Sequence, residues 1–157
     1  MAERDSLEDS LNAAYRYLSY RPRSEAELRQ RLRWRGFADE LVERTIARLR
    51  EQRLTDDLAF AQFWKDNRLS FRPRSKRLIA SELREKRIAP EIVEQVTGDI
   101  DDEATAYGLG SNLMPALEHL DYPHFYRRLS GYLGYRGFSY KVVKRTATLL
   151  WQEREWR

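Results

Sequence analysis

The chain has 157 residues, with 29 Lys and Arg against 25 Asp and Glu, a formal net charge of +4 and a pI of about 9.4. It contains no cysteine, which excludes disulfides, thiol catalysis and cysteine metal sites. No apolar run reaches the length of a membrane span and the N-terminus lacks an apolar signal core, so we expect a cytoplasmic protein with no membrane association. The basic balance favours a polyanion or an acidic protein groove as partner.

The first segment of the chain predicts helices separated by sharp turns. Apolar residues recur at helical spacing from Leu7 to Leu18, and this helix should end before Pro22 because the residue preceding a proline resists helix. Ser24 and Glu27 form a capping-box pattern, which predicts the start of a second helix at Ser24.

The second helix should end at a glycine. Gly36 is expected in the left-handed conformation, with Phe37 packing back over the helix end. Asp39 is the expected N-cap of a third helix, and Thr55-Asp56-Asp57 reads as a short turn and the cap of the next one.

The second segment repeats this order. Its first helix is predicted to contain Leu58, Ala61, Phe63 and Leu69, and Pro90 should lie in the first turn of its third helix. Arg87 stands where the other two segments have glycine. If Arg87 is left-handed, that conformation costs about 1 kcal/mol of stability. A basic residue at such a turn therefore points to a functional role.

The third segment follows a linker at Gly98-Asp99-Ile100-Asp101-Asp102. Its first helix, from Glu103 to about Leu117, contains Gly108, Gly110 and Pro115, so we expect irregular or kinked structure there. Ser139 is the expected cap of the last helix.

The three segments are copies of one unit. The repeated positions are Pro22, Pro73 and Pro123 before or at the start of each second helix and Phe37, Ile88 and Phe138 after its end, each set spaced 51 and 50 residues apart. This period predicts an all-α protein of three tandem three-helix repeats, at residues 7–54, 55–98 and 103–152, forming an elongated, curved array.

No catalytic pattern is visible in the sequence. There is no glycine-rich phosphate loop, and His119 and His124 have no partner at ligand spacing. The acidic run from Asp99 to Glu103 lacks the glycine and distal glutamate of a calcium loop. We therefore expect a protein without enzymatic activity, cofactor or metal.

Basic residues cluster at each proline turn and second helix, and in the third repeat they continue through Lys141, Lys144 and Arg145. Equivalent positions of stacked repeats should align into a basic stripe. The predicted partner-binding residues are Arg21, Arg23, Arg33, Arg35, Arg72, Arg74, Lys76, Arg77, Arg84, Lys86, Arg87, Arg127, Arg128 and Arg136. The aromatic residues Tyr20, Trp34, Phe71 and Tyr135 lie close by in sequence, which suits a polyanion or an acidic groove. The alternative is a solvated helix face, with the aromatics buried between repeats.

Each repeat carries a recognisable motif. The first has Arg21-x-Arg23-Ser24-Glu25-x-Glu27-Leu28 and Leu32-Arg33-x-Arg35-Gly36-Phe37, and the second has Ala59-Phe60-Ala61 and Ser81-Glu82-Leu83-Arg84-x-Lys86. The third has Leu129-Ser130-x-Tyr132-Leu133-x-Tyr135-Arg136-Gly137-Phe138-Ser139. In these motifs the sequence resembles the RecX family, the regulatory proteins of the RecA recombinase, and the likeness covers roughly residues 7 to 152. Arg87 replaces a glycine usual in the family, and Arg72-Pro73-Arg74 stands where many members have a Gly-Pro pair.

The resemblance implies a small, monomeric, cytoplasmic and non-enzymatic modulator. Such proteins lodge in the helical groove of the RecA–DNA filament and inhibit RecA's ATPase, strand-exchange and coprotease activities, with effects on DNA repair and the SOS response, and some also bind DNA. The family has no catalytic residues to carry over, so the contact residues above remain inferred from charge. The alternatives are a RecA-independent, non-sequence-specific DNA-binding protein and an adaptor for another acidic protein.

Overall fold

The computed structural model describes residues 6–156, and every regular element in that range is a helix. The helices are α1 Leu7–Leu18, α2 Glu25–Trp34, α3 Asp39–Glu51, α4 Asp57–Phe71, α5 Lys76–Glu85, α6 Pro90–Thr97, α7 Asp102–Leu117, α8 Tyr122–Tyr135 and α9 Tyr140–Glu155. The prediction of an all-α chain is confirmed. Among the described residues, no helix is both long enough and apolar enough to cross a bilayer.

The helices belong to two compact units. The first contains the described residues of Met1–Trp64 with Leu83–Val96, and the second contains those of Lys65–Glu82 with Thr97–Arg157. In the first unit α1, α2 and α3 pack on one another, and in the second α7, α8 and α9 do so. The residues of α4, α5 and α6 are divided between the two units, and the predicted repeat bounds stay a prediction.

The core of each three-helix bundle follows from the spacing of its apolar residues. In the first unit the buried side chains are Ala14, Leu28, Leu32, Phe37, Leu41, Val42, Ile46 and Leu49. In the second they are Ala106, Leu109, Met114, Leu117, Phe125, Leu129, Leu133, Phe138, Val143, Ala147 and Leu150. Residues three and four apart share one helix face, so each helix presents one apolar side to its neighbours.

The predicted helix starts are confirmed at several places. The Ser24 hydroxyl accepts from the Glu27 N–H at 3.1 Å, and the Glu27 carboxylate accepts from the Ser24 N–H at 3.2 Å, which completes the capping box. Asp56 accepts from the N–H of Ala59, and Ser139 caps α9. Pro90 is the first residue of α6, where a missing N–H breaks no helical bond.

The turns that follow the second helix of each repeat share one geometry. Gly36 has φ 96° and Gly137 has φ 89°, as expected of left-handed glycines. Arg87 has φ 60° at the matching place, so an arginine adopts the conformation that glycine adopts in the other two repeats. Arg53, after α3, is also left-handed at φ 58°, which the sequence did not predict. Each left-handed arginine costs about 1–2 kcal/mol.

The cap predicted at Asp39 is wrong. The N-cap of α3 is Ala38, which makes no side-chain hydrogen bond, and Asp39 is the first helical residue. Its carboxylate instead pairs with the Arg33 side chain at 2.8 Å. An acid in the first turn still suits the positive end of the helix, which explains why the pattern looked like a cap.

The four residues predicted for the first helix of the second repeat all lie in α4, but they differ in burial. Leu58 is 39% exposed, whereas Phe60 is 1% exposed and Ala61 is fully buried. Lys65, one turn after Ala61, is also buried, and its ammonium reaches Asp99 at 3.2 Å. A lysine can occupy a buried position when its stem is covered and its charge is paired, so the buried positions of α4 do not follow its apolar residues alone.

Of the irregular or kinked structure predicted for the first helix of the third repeat, the irregularity is wrong, and the kink stays a prediction. Helix α7 runs unbroken from Asp102 to Leu117 and contains Pro115 in its last turn. At Gly110 an added Cβ would lie 2.5 Å from the Leu150 Cδ1 atom, so this glycine permits close packing of α7 on α9. Tertiary contact therefore outweighs the low helix propensity of glycine and proline.

Candidate interaction surface

Several predicted contact residues of the first unit converge on one carboxylate, that of Glu27. Arg21 lies 2.5 Å from it, Lys86 3.5 Å and Arg23 4.0 Å. Burial alone would raise the pKa of Glu27, but hydrogen bonds from Arg21 and the Ser24 N–H, with the charges of Arg21 and Lys86, lower it below its ordinary value. Glu27 is therefore ionised and anchors three of the fourteen predicted contact residues.

Aromatic rings also engage these three cations. The Arg23 guanidinium lies 3.8 Å from the centroid of the Tyr17 ring, and burial, followed by the charge of Arg21, lowers the pKa of Arg23. The Arg21 guanidinium lies 5.8 Å, and the Lys86 ammonium 5.2 Å, from the Trp64 ring centroid. Such cation–π contacts stabilise the fold of this unit. A further contact of these cations with a partner stays a prediction.

The remaining predicted residues of the first unit are more accessible. Arg33 pairs with Asp39 at 2.8 Å but keeps half of its side chain exposed. Arg35, Arg84 and Arg87 are exposed, and their side chains make no hydrogen bond or ion pair with the residues that the structure describes. These three guanidinium groups are available to bind an anion.

The second unit shows the same division. Arg74 pairs with Glu82 at 2.7 Å, and Arg68 contacts the same carboxylate at 2.7 Å. The Arg136 guanidinium lies 3.6 Å from the centroid of the Tyr132 ring and donates to the Tyr132 carbonyl at 3.0 Å. These arginines, like those around Glu27, have intramolecular partners.

The other predicted residues of the second unit point to solvent. Arg77 is exposed and donates one hydrogen bond, 3.4 Å long, to the Gly137 carbonyl. Four more have exposed side chains without a hydrogen bond or ion pair in the described range: Arg72, Lys76, Arg127 and Arg128. We call these four, with Arg35, Arg84 and Arg87 of the first unit, the free cations.

Four large aromatic side chains of the predicted surface are exposed. The exposed fractions are 78% for Tyr20, 73% for Trp34, 77% for Phe71 and 87% for Tyr135. Burial of these rings between repeats is therefore wrong for the described chain. Tyr20 and Phe71 each precede their repeat's proline by two residues, and Trp34 and Tyr135 each precede the left-handed glycine by two. An arginine directly follows each ring in sequence.

The acidic linker between the second and third repeats is used within the fold. Asp99 pairs with Lys65 at 3.2 Å, and Asp101 caps α7 through the Ala104 N–H. Asp102 accepts from a backbone N–H of α5 and Glu103 pairs with Arg145. Among residues 6–156, no three His, Cys, Asp or Glu side chains form a group suited to a metal ion.

Three cations of α9, Lys141, Lys144 and Arg145, belong to the basic residues that the sequence pointed to in the third repeat, and the structure places a cavity beside them. A cavity of about 600 Å³ opens beside exposed Tyr140 and Leu149 and is bordered by Lys141, Lys144 and Arg145. Residues four apart along α9 build it, so helical spacing was the available signal. Glu27 was missed as an anchoring carboxylate, in part because one of its partners, Lys86, lies 59 residues away in the chain.

Repeated three-helix modules of this kind define a helical-repeat protein. Family models match residues 11–49, as the first three-helix domain of RecX, and residues 56–96, as the second. The chain is 32% identical over 137 residues to the regulatory protein RecX of Prosthecochloris aestuarii, covering 87% of this chain and 90% of that one. It is 32% identical over 139 residues to the regulatory protein RecX of Streptomyces coelicolor, covering 87% and 74% of the two chains.

A solved structure shares the fold. The crystal structure of RecX from Lactobacillus salivarius matches with a TM-score of 0.79 at 22% identity, covering 96% of this chain and 98% of that one. The chain belongs to the RecX family of regulatory proteins. The family resemblance found in the sequence is thereby confirmed.

Proposed function

We propose that this protein is a negative modulator of the RecA recombinase that binds in the groove of the RecA–DNA filament. In this role it inhibits RecA's ATPase, strand-exchange and coprotease activities and so affects homologous recombination, DNA repair and the SOS response. It acts by binding, without catalysing a reaction. Membership of the RecX family, with two matched three-helix domains, is the observation that carries this proposal.

The free cations and the exposed aromatics support a binding role. Arg72 and Lys76 in one unit, and Arg35, Arg84 and Arg87 in the other, present charges with no intramolecular partner in the described range. A repeat protein with such groups spread along it gains affinity from many weak contacts rather than from one deep pocket. Because these charges are exposed, binding should weaken as salt rises.

The test compares three targets at one salt concentration. Fluorescence anisotropy of the labelled protein is measured with single-stranded DNA, with duplex DNA and with RecA–ATP filaments on single-stranded DNA, while RecA's ATP hydrolysis is followed in parallel. Tighter binding to filaments than to either DNA, together with reduced hydrolysis, is the expected result. Binding to bare DNA at least as tight as to filaments, with hydrolysis falling only as DNA is sequestered, contradicts the proposal.

A RecA-independent, non-sequence-specific DNA-binding protein is the second candidate. The pairing of an exposed ring with a free cation, as at Phe71–Arg72 and Trp34–Arg35, favours it, because such pairs stack on bases and contact phosphates. This candidate predicts tight binding to bare single strands, with affinity falling steeply as salt rises.

A further inference from the structure

Arg87 adopts a left-handed backbone conformation at a position where the other two repeats have glycine. It follows α5 with φ 60°, and the next residue, Ile88, is buried and donates its N–H to the Leu83 carbonyl at 3.1 Å. The matching residues Gly36 and Gly137 have φ 96° and 89° in turns of the same type. A glycine would satisfy this turn without strain, so packing and hydrogen bonding do not explain an arginine here.

The side chain of Arg87 borders a polar cavity of about 680 Å³ in the first unit. The other cations that line this cavity are paired: Arg29 with Glu43 at 2.8 Å, Arg33 with Asp39 at 2.8 Å and Lys86 with Glu27 at 3.5 Å. Arg87 is exposed and has no carboxylate oxygen within 4.0 Å among the described residues. It is therefore the cation at this cavity whose charge is not already neutralised.

We propose that the Arg87 guanidinium binds a carboxylate side chain of the protein partner, at the mouth of this cavity. The inference rests on the proposed function, in which the partner is the RecA filament, and it assigns one contact of that complex to one residue. A guanidinium presents parallel N–H donors that match the two oxygens of a carboxylate, so the contact is directional as well as charged.

The charges around the cavity favour a protein carboxylate over the phosphates of DNA. Glu27, Asp57 and Glu85 line the same cavity. A DNA strand brings a negative charge at every phosphate, so it would place several phosphates near these carboxylates. A single acidic side chain reaches Arg87 alone, and the exposed side chains of Glu85 and Gln30 remain open to polar groups of a polypeptide.

The chain provides a matched control in Arg53. It is exposed, left-handed at φ 58° and lies in the same unit, but it does not line the cavity. Replacing either arginine by glycine removes one positive charge and relieves the same steric strain of a left-handed backbone. The two variants should therefore keep the thermal midpoint of the wild type or raise it by up to about 4 °C.

The experiment measures the affinity of the wild type, Arg87→Gly and Arg53→Gly for RecA–ATP filaments and for bare single-stranded DNA. We expect Arg87→Gly to bind filaments about ten- to a hundredfold more weakly, the usual effect of losing a charged hydrogen-bond pair. Arg53→Gly should stay within about twofold of the wild type on filaments, and bare-DNA binding should change equally little in both variants.

Each other outcome overturns the inference in a distinguishable way. If Arg87→Gly binds filaments as tightly as the wild type, Arg87 makes no such contact. If Arg87→Gly and Arg53→Gly lose filament affinity equally, the effect is one of general charge. If Arg87→Gly loses as much affinity for bare DNA as for filaments, Arg87 binds phosphate. A wild type that prefers bare DNA to filaments instead contradicts the proposed function itself. If Arg87→Gly lowers the thermal midpoint, Arg87→Asn provides the same comparison, because asparagine also tolerates the left-handed conformation.

Discussion

The backbone N–H of Glu25 donates a hydrogen bond to the carboxylate of Asp57 at 3.0 Å. The same bond forms in the second unit, where the N–H of Lys76 donates to Asp102 at 2.8 Å. Each donor is the first residue of a repeat's second helix, and each acceptor is the first residue of the next repeat's first helix. The N–H groups at a helix start lack intrahelical partners, so these carboxylates satisfy one of them. The sequence repeat is thus accompanied by a repeated bond between successive segments.

Two substitutions of Asp57 should distinguish the contribution of its hydrogen bond to stability from that of its negative charge. Burial raises the pKa of Asp57 above its ordinary value, and the negative charge of Glu25 raises it further. The hydrogen bond from the Glu25 N–H lowers it, but by less. An acid with a raised folded-state pKa contributes stability that is present at low pH and is lost as the pH rises through that pKa. Asp57→Asn keeps an acceptor without the charge, so we expect it to be at least as stable as the wild type at pH 7.

Urea unfolding followed by circular dichroism measures this effect. The advantage of Asp57→Asn should shrink as the pH falls toward 3.8, the ordinary pKa of the group. Asp57→Ala is the control that loses the acceptor, and it should be less stable than the wild type by about 1–2 kcal/mol. An asparagine variant that is as unstable as the alanine variant would show that the negative charge itself is needed.

Glu27 should make the first unit sensitive to acid. Its pKa lies below the ordinary value of 4.5. The pKa of Glu25 is also lowered, and the hydrogen bond from Arg50 is the largest cause of that lowering. Carboxylates with lowered folded-state pKa values contribute stability above their unfolded pKa, and this is lost as the pH falls through the folded one. Glu27→Gln should destabilise the protein at pH 7 by about 1–3 kcal/mol, because it leaves Arg21 and Lys86 without their anion.

Chemical unfolding at several pH values tests this expectation. The difference between the wild type and Glu27→Gln should be constant near neutral pH and should decrease below pH 4.5. Glu51→Gln is a suitable control, since that carboxylate is exposed and pairs, within the described residues, with Arg48 alone, at 3.7 Å. A difference that does not change with pH would mean that packing of Glu27, rather than its charge, stabilises the unit.

Two glycines of α7 should respond oppositely to alanine. At Gly110 an added Cβ lies 2.5 Å from the buried Leu150 side chain, whereas at Gly108 nothing lies within 4 Å. Gly108→Ala should therefore stabilise the protein by about 0.5–1 kcal/mol through helix propensity. Gly110→Ala should destabilise it by about 1–3 kcal/mol through overpacking. Thermal unfolding of both variants measures this, and equal effects would contradict the close packing of α7 on α9.

Neutralising two free cations should weaken partner binding without affecting the fold. Arg72→Gln with Lys76→Gln removes two exposed charges that have no side-chain partner in the described range. We expect filament affinity to fall about three- to tenfold at low salt and by less at high salt, with an unchanged thermal midpoint. The double variant Arg16→Gln with Arg44→Gln removes the same charge outside the predicted set. An equal loss in both double variants would exclude a specific role for Arg72 and Lys76.

Local features were predictable because they depend on neighbours in sequence. The capping box of Ser24 and Glu27, the left-handed Gly36 and Gly137, and the helix start at Pro90 are each decided within about one helical turn, and all are present in the structure. The alignment of Arg87 with two glycines raised the question of a left-handed arginine, and the structure shows one there. The repeat itself was visible because its copies keep almost constant spacing.

The helical class, the threefold sequence repeat and several helix ends therefore followed from the residues alone. The pairing of the cations could be read only from the fold where the partner carboxylate lies far away in the chain. Lys86 meets a carboxylate 59 residues away at Glu27, and the same carboxylate also holds Arg21. Tertiary packing likewise kept α7 regular despite its glycines and Pro115. Helix propensities and charge patterns describe single segments, whereas burial and pairing are set by what the fold brings into contact.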